Sequence, residues 1–233
     1  LTNSHVSNAT YFRLYLEKYL KKKDVIVYLD ADTIIMRNPL QLLEREINTM
    51  RKNNFYLGAT KETDKTSSKD IFERLELKGV DYFNAGVMIL DLDNPRSINL
   101  TNELLELTMK LGTNIKHWDQ DVMNKYFDKN FFQIEPDLNF RLDDEDNLPT
   151  QDAKILHYLG SNKPWTLDGL KVLHSKYYQE NYLALFDKNL YHVTTKWKKK
   201  TYLDLLVYIL TFKLFTKHNS LKIFLSTLIA KKS

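Results

Sequence analysis

Short apolar runs alternate with polar and charged stretches through most of the chain. Val25-Ile26-Val27-Tyr28-Leu29, Phe55 to Ala59 and Val87-Met88-Ile89-Leu90 have strand length and composition. Pro39 to Glu44 opens a short helix after the first run, and Leu100 to Leu111 has helix composition. Strands alternating with helices mark an α/β domain. No internal repeat or low-complexity linker interrupts it. Thr60 to Val80 is polar and charged, with Ser67-Ser68 near its middle, and reads as a solvated face.

A different pattern follows Lys196. Leu205 to Leu210 forms one apolar run, and Leu221, Phe224, Leu225, Leu228 and Ile229 recur at helical spacing, with lysines around both. Neither run reaches the roughly twenty apolar residues that span a bilayer. From Lys196 to Ser233 nine Lys stand against one acid, Asp204, so the tail carries +8. The total is +4, which leaves residues 1–195 with a net −4. Basic character therefore belongs to the tail, and a nucleic-acid-binding core is disfavoured. The tail reads as an amphipathic helix on an anionic membrane surface, the alternative being a helical pair packed on the core. We divide the chain accordingly into a domain of residues 1–195 and a basic helical tail of residues 196–233.

Length and composition, 233 residues and 43% hydrophobic, suffice for one main domain with a sizeable core. The absence of cysteine excludes disulfides and thiolate metal sites and suits a cytosolic compartment.

Four segments carry candidate chemistry. Asp30-Ala31-Asp32 closes the first apolar run, and carboxylates two apart on a strand project to one side, where they can share a hard divalent cation. Tyr82 to Asp91 is a buried-strand pattern entered through an Asn84-Ala85-Gly86 turn, in which Gly86 permits close backbone approach or positive φ. His117 to Asn124 begins a helix, in which Asp119 reads either as a cap or, equally, as part of an acid-amide-acid set, Asp119, Gln120 and Asp121, able to hold sugar hydroxyls. Ile155 to Trp165 places His157 ahead of Gly160 and Lys163, a turn and a cation suited to clamping phosphate. Asp143 to Asp146 lacks apolar support and reads as exposed acids without a catalytic role; His174 and His192 are likewise set aside.

Together and in this order, these segments resemble glycosyltransferase family 8, the retaining sugar-nucleotide transferases that include glycogenin and bacterial lipooligosaccharide galactosyltransferases. The resemblance runs from about Val6 to Trp165; it includes Ser7 to Leu14, which looks like the helix before the family's metal strand, and implies that Thr60 to Val80 is a mobile loop or lid on the acceptor side. It implies a GT-A fold, a nucleotide-binding mixed sheet flanked by helices. It also implies that Asp30, Asp32 and His157 coordinate Mn²⁺, with Mg²⁺ as the alternative, and that the metal holds the diphosphate of a UDP-sugar. Gly160 and Lys163 would meet that diphosphate, while Arg13, Asn84, Ala85, Asp119 and Gln120 would line the donor sugar beside Ala31 of the metal motif. Lys163, Asp119 and Gln120 are the residues expected to carry catalysis.

The implied reaction moves glucose or galactose from a UDP-hexose to a glycan or glycolipid of the bacterial surface, such as lipopolysaccharide, capsule or glycoprotein. The enzyme would work in the cytoplasm, peripheral at the inner face of the plasma membrane. Family members normally open with a strand and an acidic turn that hold uridine, and nothing like that precedes Leu1. The expectation is that an upstream segment or partner chain completes the uridine site. Two other classes compete: a non-catalytic membrane-associated interaction module, and a sugar-nucleotide pyrophosphorylase, whose Gly-rich basic loop is not visible.

Overall fold

The computed structural model describes residues 8–20, 24–62, 69–142, 148–160, 163–166, 169, 172–187, 203, 206–207 and 210–211. The chain divides into two units, residues 1–30 with 38–139 and residues 31–37 with 140–233.

In the first unit a 3-10 helix, Asn8–Tyr15, runs into α1 (Leu16–Leu20) and then β1 (Val25–Leu29). After the excursion through residues 31–37 come α2 (Leu40–Lys52), β3 (Leu57–Lys61), α3 (Lys69–Leu75), β4 (Phe83–Asp91), α4 (Leu100–Leu111), α5 (Trp118–Tyr126) and β5 (Phe132–Gln133). The sheet order is β1-β4-β3-β5; β1 and β3 flank β4 antiparallel, and β5 joins β3 in parallel. All nine residues of β4 are buried, which explains its unbroken apolar run: a central strand covered on both faces has no polar side to show.

One face of this sheet packs Leu57, Ala59, Phe83, Ala85, Met88 and Leu90 against Leu100 and Leu104 of α4 and against Val122 and Met123 of α5. On α2, Leu43, Glu46 and Met50 are the buried positions. Gly58 makes close packing possible there, since a Cβ at that position would stand 2.9 Å from Ile134 Cγ2 and 3.3 Å from Met50 Sδ.

Residues 31–37 supply β2 (Thr33–Ile35) to the second unit, where it pairs antiparallel with β7 (Ile155–Tyr158), and β7 pairs parallel with β6 (Phe140–Leu142). Leu142, Ala153, Leu156 and Tyr158 form its core, and Tyr177 and Tyr178 of α6 (Ser175–Phe186) pack against it.

Several sequence expectations shift. The helix after Pro39 is thirteen residues long rather than short, and the following strand starts at Leu57 because the Phe55 N–H is still bonded to the Met50 carbonyl (3.0 Å). The polar stretch 60–80 contains α3, whose Ile71 and Leu75 pack on Tyr82; Ser67-Ser68 lies outside the described residues. Ser7 to Leu14 was expected as a helix, and from Asn8 onward it is a 3-10 helix. Asp143 to Asp146, His192 and most of the tail lie outside the described residues.

Candidate active site

The Asn84-Ala85-Gly86 segment sits inside β4, not in a turn before it. The β3–β4 register jumps there: Ala59 pairs with Met88, but the next residue, Thr60, pairs with Asn84. Residues 85–87 of β4 therefore have no partner on β3, and such an irregularity re-aims backbone groups that a regular ladder would consume. Gly86 does not take a positive φ, and its use is close backbone approach: its carbonyl accepts the Asp30 N–H at 2.8 Å.

Side chains take the freed groups. The Ala85 N–H donates to Gln120 Oε1 (3.0 Å), the Gly86 N–H to Asn84 Oδ1 (3.0 Å), and the Ala85 carbonyl accepts from Arg13 Nη1. Asn84 is fixed further by Glu62 Oε1 (2.8 Å) and by Asn139 Nδ2 (3.1 Å).

Arg13 is the hub of this cluster. Its Nη2 donates to Asp30 Oδ1 at 2.7 Å, its Nε stands 2.6 Å from Asp119 Oδ2, and its guanidinium lies 4.6 Å over the Tyr28 ring. The Tyr28 hydroxyl donates to Asp30 Oδ1 as well (2.7 Å), and burial pushes that phenol up, which keeps it a donor. Asp119 is not the helix cap that its position suggested. It lies in the first turn of α5, takes a hydrogen bond from Thr10 Oγ1 and faces Arg13. Burial raises its carboxyl despite that cation.

Next to it, Asp121 is fully buried and accepts from Arg74 Nη1 (2.8 Å), Tyr82 hydroxyl (2.8 Å) and the Lys116 and His117 N–H groups (2.7 and 2.8 Å). Burial would raise this carboxyl, but Arg74 and the two backbone donors hold it below the ordinary value. Arg74 and Tyr82 escaped the sequence reading, because only the fold brings α3 and the entry to β4 against the α5 start.

A measurable consequence follows from the sign of that shift. A depressed folded value means that the stabilisation from Asp121 is present above the unfolded carboxylate value, near about 3.9, and lost as pH falls through the lower folded one. Asp121→Asn should therefore give a shallower acid limb in unfolding free energy against pH. Arg74→Ala, which strands a buried carboxylate, should cost about 3–5 kcal/mol at pH 7. Urea unfolding across pH 2–7 reads both. Parallel acid limbs in wild type and Asp121→Asn would show that the network does not matter.

In the second unit, Asp32 lies in the turn that leads into β2, so the two acids of the motif sit in the connection after β1 rather than on a strand. The Asp32 carbonyl accepts the Tyr158 N–H (3.0 Å), extending the β2–β7 ladder. Thr33 pairs with His157, bringing the His157 side chain to Asp32: Nε2 stands 3.3 Å from Oδ1. Lys163 Nζ donates to Asp32 Oδ2 at 2.6 Å and also to the Tyr158 carbonyl. Burial would raise the Asp32 carboxyl, but His157 and Lys163 hold it well below the carboxylate range.

Asp32 Oδ1 is nonetheless buried without a well-directed hydrogen bond. A carboxylate oxygen left so, facing an imidazole nitrogen at 3.3 Å, is a donor set able to take a divalent cation. Gly160 takes φ +70°, a conformation that glycine adopts without cost.

The sequence model of glycosyl transferase family 8 matches residues 1–169. The chain belongs to this family. Among curated relatives, lipopolysaccharide 1,2-glucosyltransferase of Escherichia coli is 30% identical over 68% of this chain and 49% of its own length. Glycosyltransferase GlyF of Streptococcus pneumoniae is 26% identical over 70% of this chain and 39% of its own. The family 8 chain described here thus spans about half or less of the length of these relatives. Among solved structures, the galactosyltransferase LgtC, crystallised with donor and acceptor sugar analogues, superposes with a TM-score of 0.66 at 20% identity, covering 85% of this chain and 72% of that one. That likeness gives the fold, a GT-A-type mixed α/β architecture.

Proposed function

We propose that this chain carries the catalytic core of a retaining hexosyltransferase that moves glucose or galactose from a UDP-sugar to a bacterial surface glycan or glycolipid. The observation that supports it most is the buried, under-bonded Asp32 Oδ1 beside His157, in a family 8 chain. Asp30 would complete the metal ligands, because two residues of backbone cannot carry it more than about 7 Å from Asp32, Cα to Cα. A Mn²⁺ ion held there, or Mg²⁺, would act as a Lewis acid toward the diphosphate.

The chain's own residues would do the rest. Lys163 brings an ammonium to neutralise the charge that UDP gains as the anomeric C–O bond breaks. Gln120, an amide held by the Ala85 N–H, would contact the donor sugar and, as an amide, is a poor nucleophile. Asp121, its oxygens already engaged by four donors, is poorly suited to attack, and Asp119 is committed to Arg13 and Thr10. The acceptor hydroxyl would therefore attack the anomeric carbon from the face that UDP leaves, with its proton passing to the departing diphosphate. Asn84, Ala85 and Asp119 would line the sugar, with Gly160 and Lys163 on the diphosphate.

The tail would place the enzyme at the membrane. Leu203, Leu206, Val207 and Leu210 are helical and exposed, at the spacing of one helix face. Among the described residues no helix is long and apolar enough to cross a bilayer. We accordingly keep residues 1–195 as the catalytic domain and 196–233 as the membrane-facing tail.

The test is UDP release from UDP-glucose and UDP-galactose with Mn²⁺ or with chelator, alongside Mn²⁺ binding by electron paramagnetic resonance. Metal-dependent release, with the preferred donor naming the sugar, is the expected result. Gln120→Ala should lower it mildly, within about tenfold, if the amide positions rather than reacts. Mn²⁺ that neither binds nor promotes release would overturn the reading.

A further inference from the structure

In the first unit, away from Arg13, Asp30 and Asp119, a groove of 530 Å³ opens between the end of β3 and the segment leading into β5. Its volume lies within the range of small-ligand sites, about 300–1,000 Å³. Lys61, Lys78, Asp81, Lys129, Phe131 and Gln133 line it. Three ammonium groups face one carboxylate, and that carboxylate is already used: Asp81 Oδ2 lies 2.9 Å from Lys61 Nζ. Among the described residues, no carboxylate pairs with the Lys78 or Lys129 ammonium group. The groove therefore holds an excess of positive charge in a domain whose net charge is negative.

The two lysines are held by a pinned backbone. Asp128 accepts the N–H groups of Lys78 (2.6 Å) and Gly79 (2.9 Å), and Lys125 Nζ donates to the Glu76 carbonyl (2.8 Å), tying the loop after α3 to the turn after α5. Gly79 is needed for that contact, since a Cβ there would stand 2.6 Å from Asp128 Oδ1. Lys129 takes φ +62°, an unfavourable conformation for a residue with a side chain, which the surrounding bonds sustain.

A flexible salt-bridge surface would need neither the glycine nor the strained turn. Phe131 adds an aromatic wall, braced against Phe83 with ring centroids 4.8 Å apart, and Gln133 adds an amide. Unpaired lysines bind phosphate or carboxylate as point charges, and an aromatic face with an amide suits a sugar ring.

We propose that this groove is a subsite for an anionic sugar, one bearing a phosphate or a carboxylate. Its wall residue Lys61, the last of β3, is followed by Glu62, whose Oε1 holds Asn84 Nδ2 of the candidate site at 2.8 Å. Assigning the anionic sugar to the acceptor glycan rests on the transferase reading above; its binding does not.

The experiment is a titration of the full chain with glucose 6-phosphate, galacturonate, glucose and inorganic phosphate, followed by NMR shifts or calorimetry, in wild type, Lys78→Glu and Lys129→Glu. Glucose 6-phosphate or galacturonate should bind, glucose should not, and each charge reversal should weaken binding at least tenfold with an unchanged melting temperature. Which of the two sugars binds more tightly identifies the anion. Binding of all four equally, or binding indifferent to both substitutions, would overturn the subsite. Should either variant unfold, Lys78→Gln and raised salt serve instead, each expected to weaken binding severalfold. UDP release from the same samples without acceptor should not change. In the wild type, failure of both anionic sugars to bind with intact UDP release would refute the groove alone, and their binding without UDP release would refute the transferase alone.

Discussion

Asp32→Asn is expected to abolish metal-dependent UDP release while leaving the fold in place. The substitution keeps the shape of the side chain but removes the charge that faces both His157 and Lys163. If a Lewis acid there contributes several kcal/mol, its loss lowers turnover on the order of 10³-fold, since each 1.36 kcal/mol is a factor of ten. Stability should fall far less, because the Asp32 and Lys163 side chains are each about a fifth exposed, at 21% and 22%, and a hydrogen bond to a charged group is worth about 1.5–3 kcal/mol before solvent screening. Two readouts separate the roles: Mn²⁺ binding by electron paramagnetic resonance and the urea midpoint. Lost binding with a preserved midpoint marks a ligand. Retained binding and turnover would remove Asp32 from the site.

Arg13→Ala should destabilise the fold as strongly as Arg74→Ala, although a contact to the donor sugar would have predicted only weaker substrate binding. Its guanidinium is nearly buried and stands between two carboxylates, Asp30 and Asp119, while also donating to the Ala85 carbonyl. With Arg13 and Asp119 side chains only 7% and 5% exposed, truncation strands a buried charge, at a cost of about 3–5 kcal/mol. Arg13→Lys should recover only part of this, because one ammonium cannot reproduce the planar fork that reaches three partners. Arg13 is in this sense a positioning residue, fixing Asp30 and the start of α5. A raised KM with an unchanged urea midpoint would return it to the role of a direct sugar contact.

Much of the candidate site could be read from the order of residues. Strand-length apolar runs depend on local pattern, so β1 and β4 were legible, as was α4 with its stated ends. The Asp-Ala-Asp motif and the His157-to-Lys163 segment were legible for the same reason: chemistry-bearing side chains close in sequence stay close in space. Even the pairing of Thr33 with His157 lay beyond that reach, since register depends on which strands meet.

By itself, then, the sequence determined the α/β class, the basic tail and the identity of the metal and diphosphate candidates, because these follow from composition, periodicity and short spacings. Tertiary structure alone decided how those groups are held. The jump in β3–β4 register that frees the Ala85 and Gly86 backbone, the Arg13 hub between two acids, the burial of Asp121 under Arg74 and Tyr82, and the lysine groove stapled by Asp128 all join residues far apart along the chain. Such contacts are selected by packing and by the requirement that every buried polar group find a partner, and neither is encoded in any local stretch.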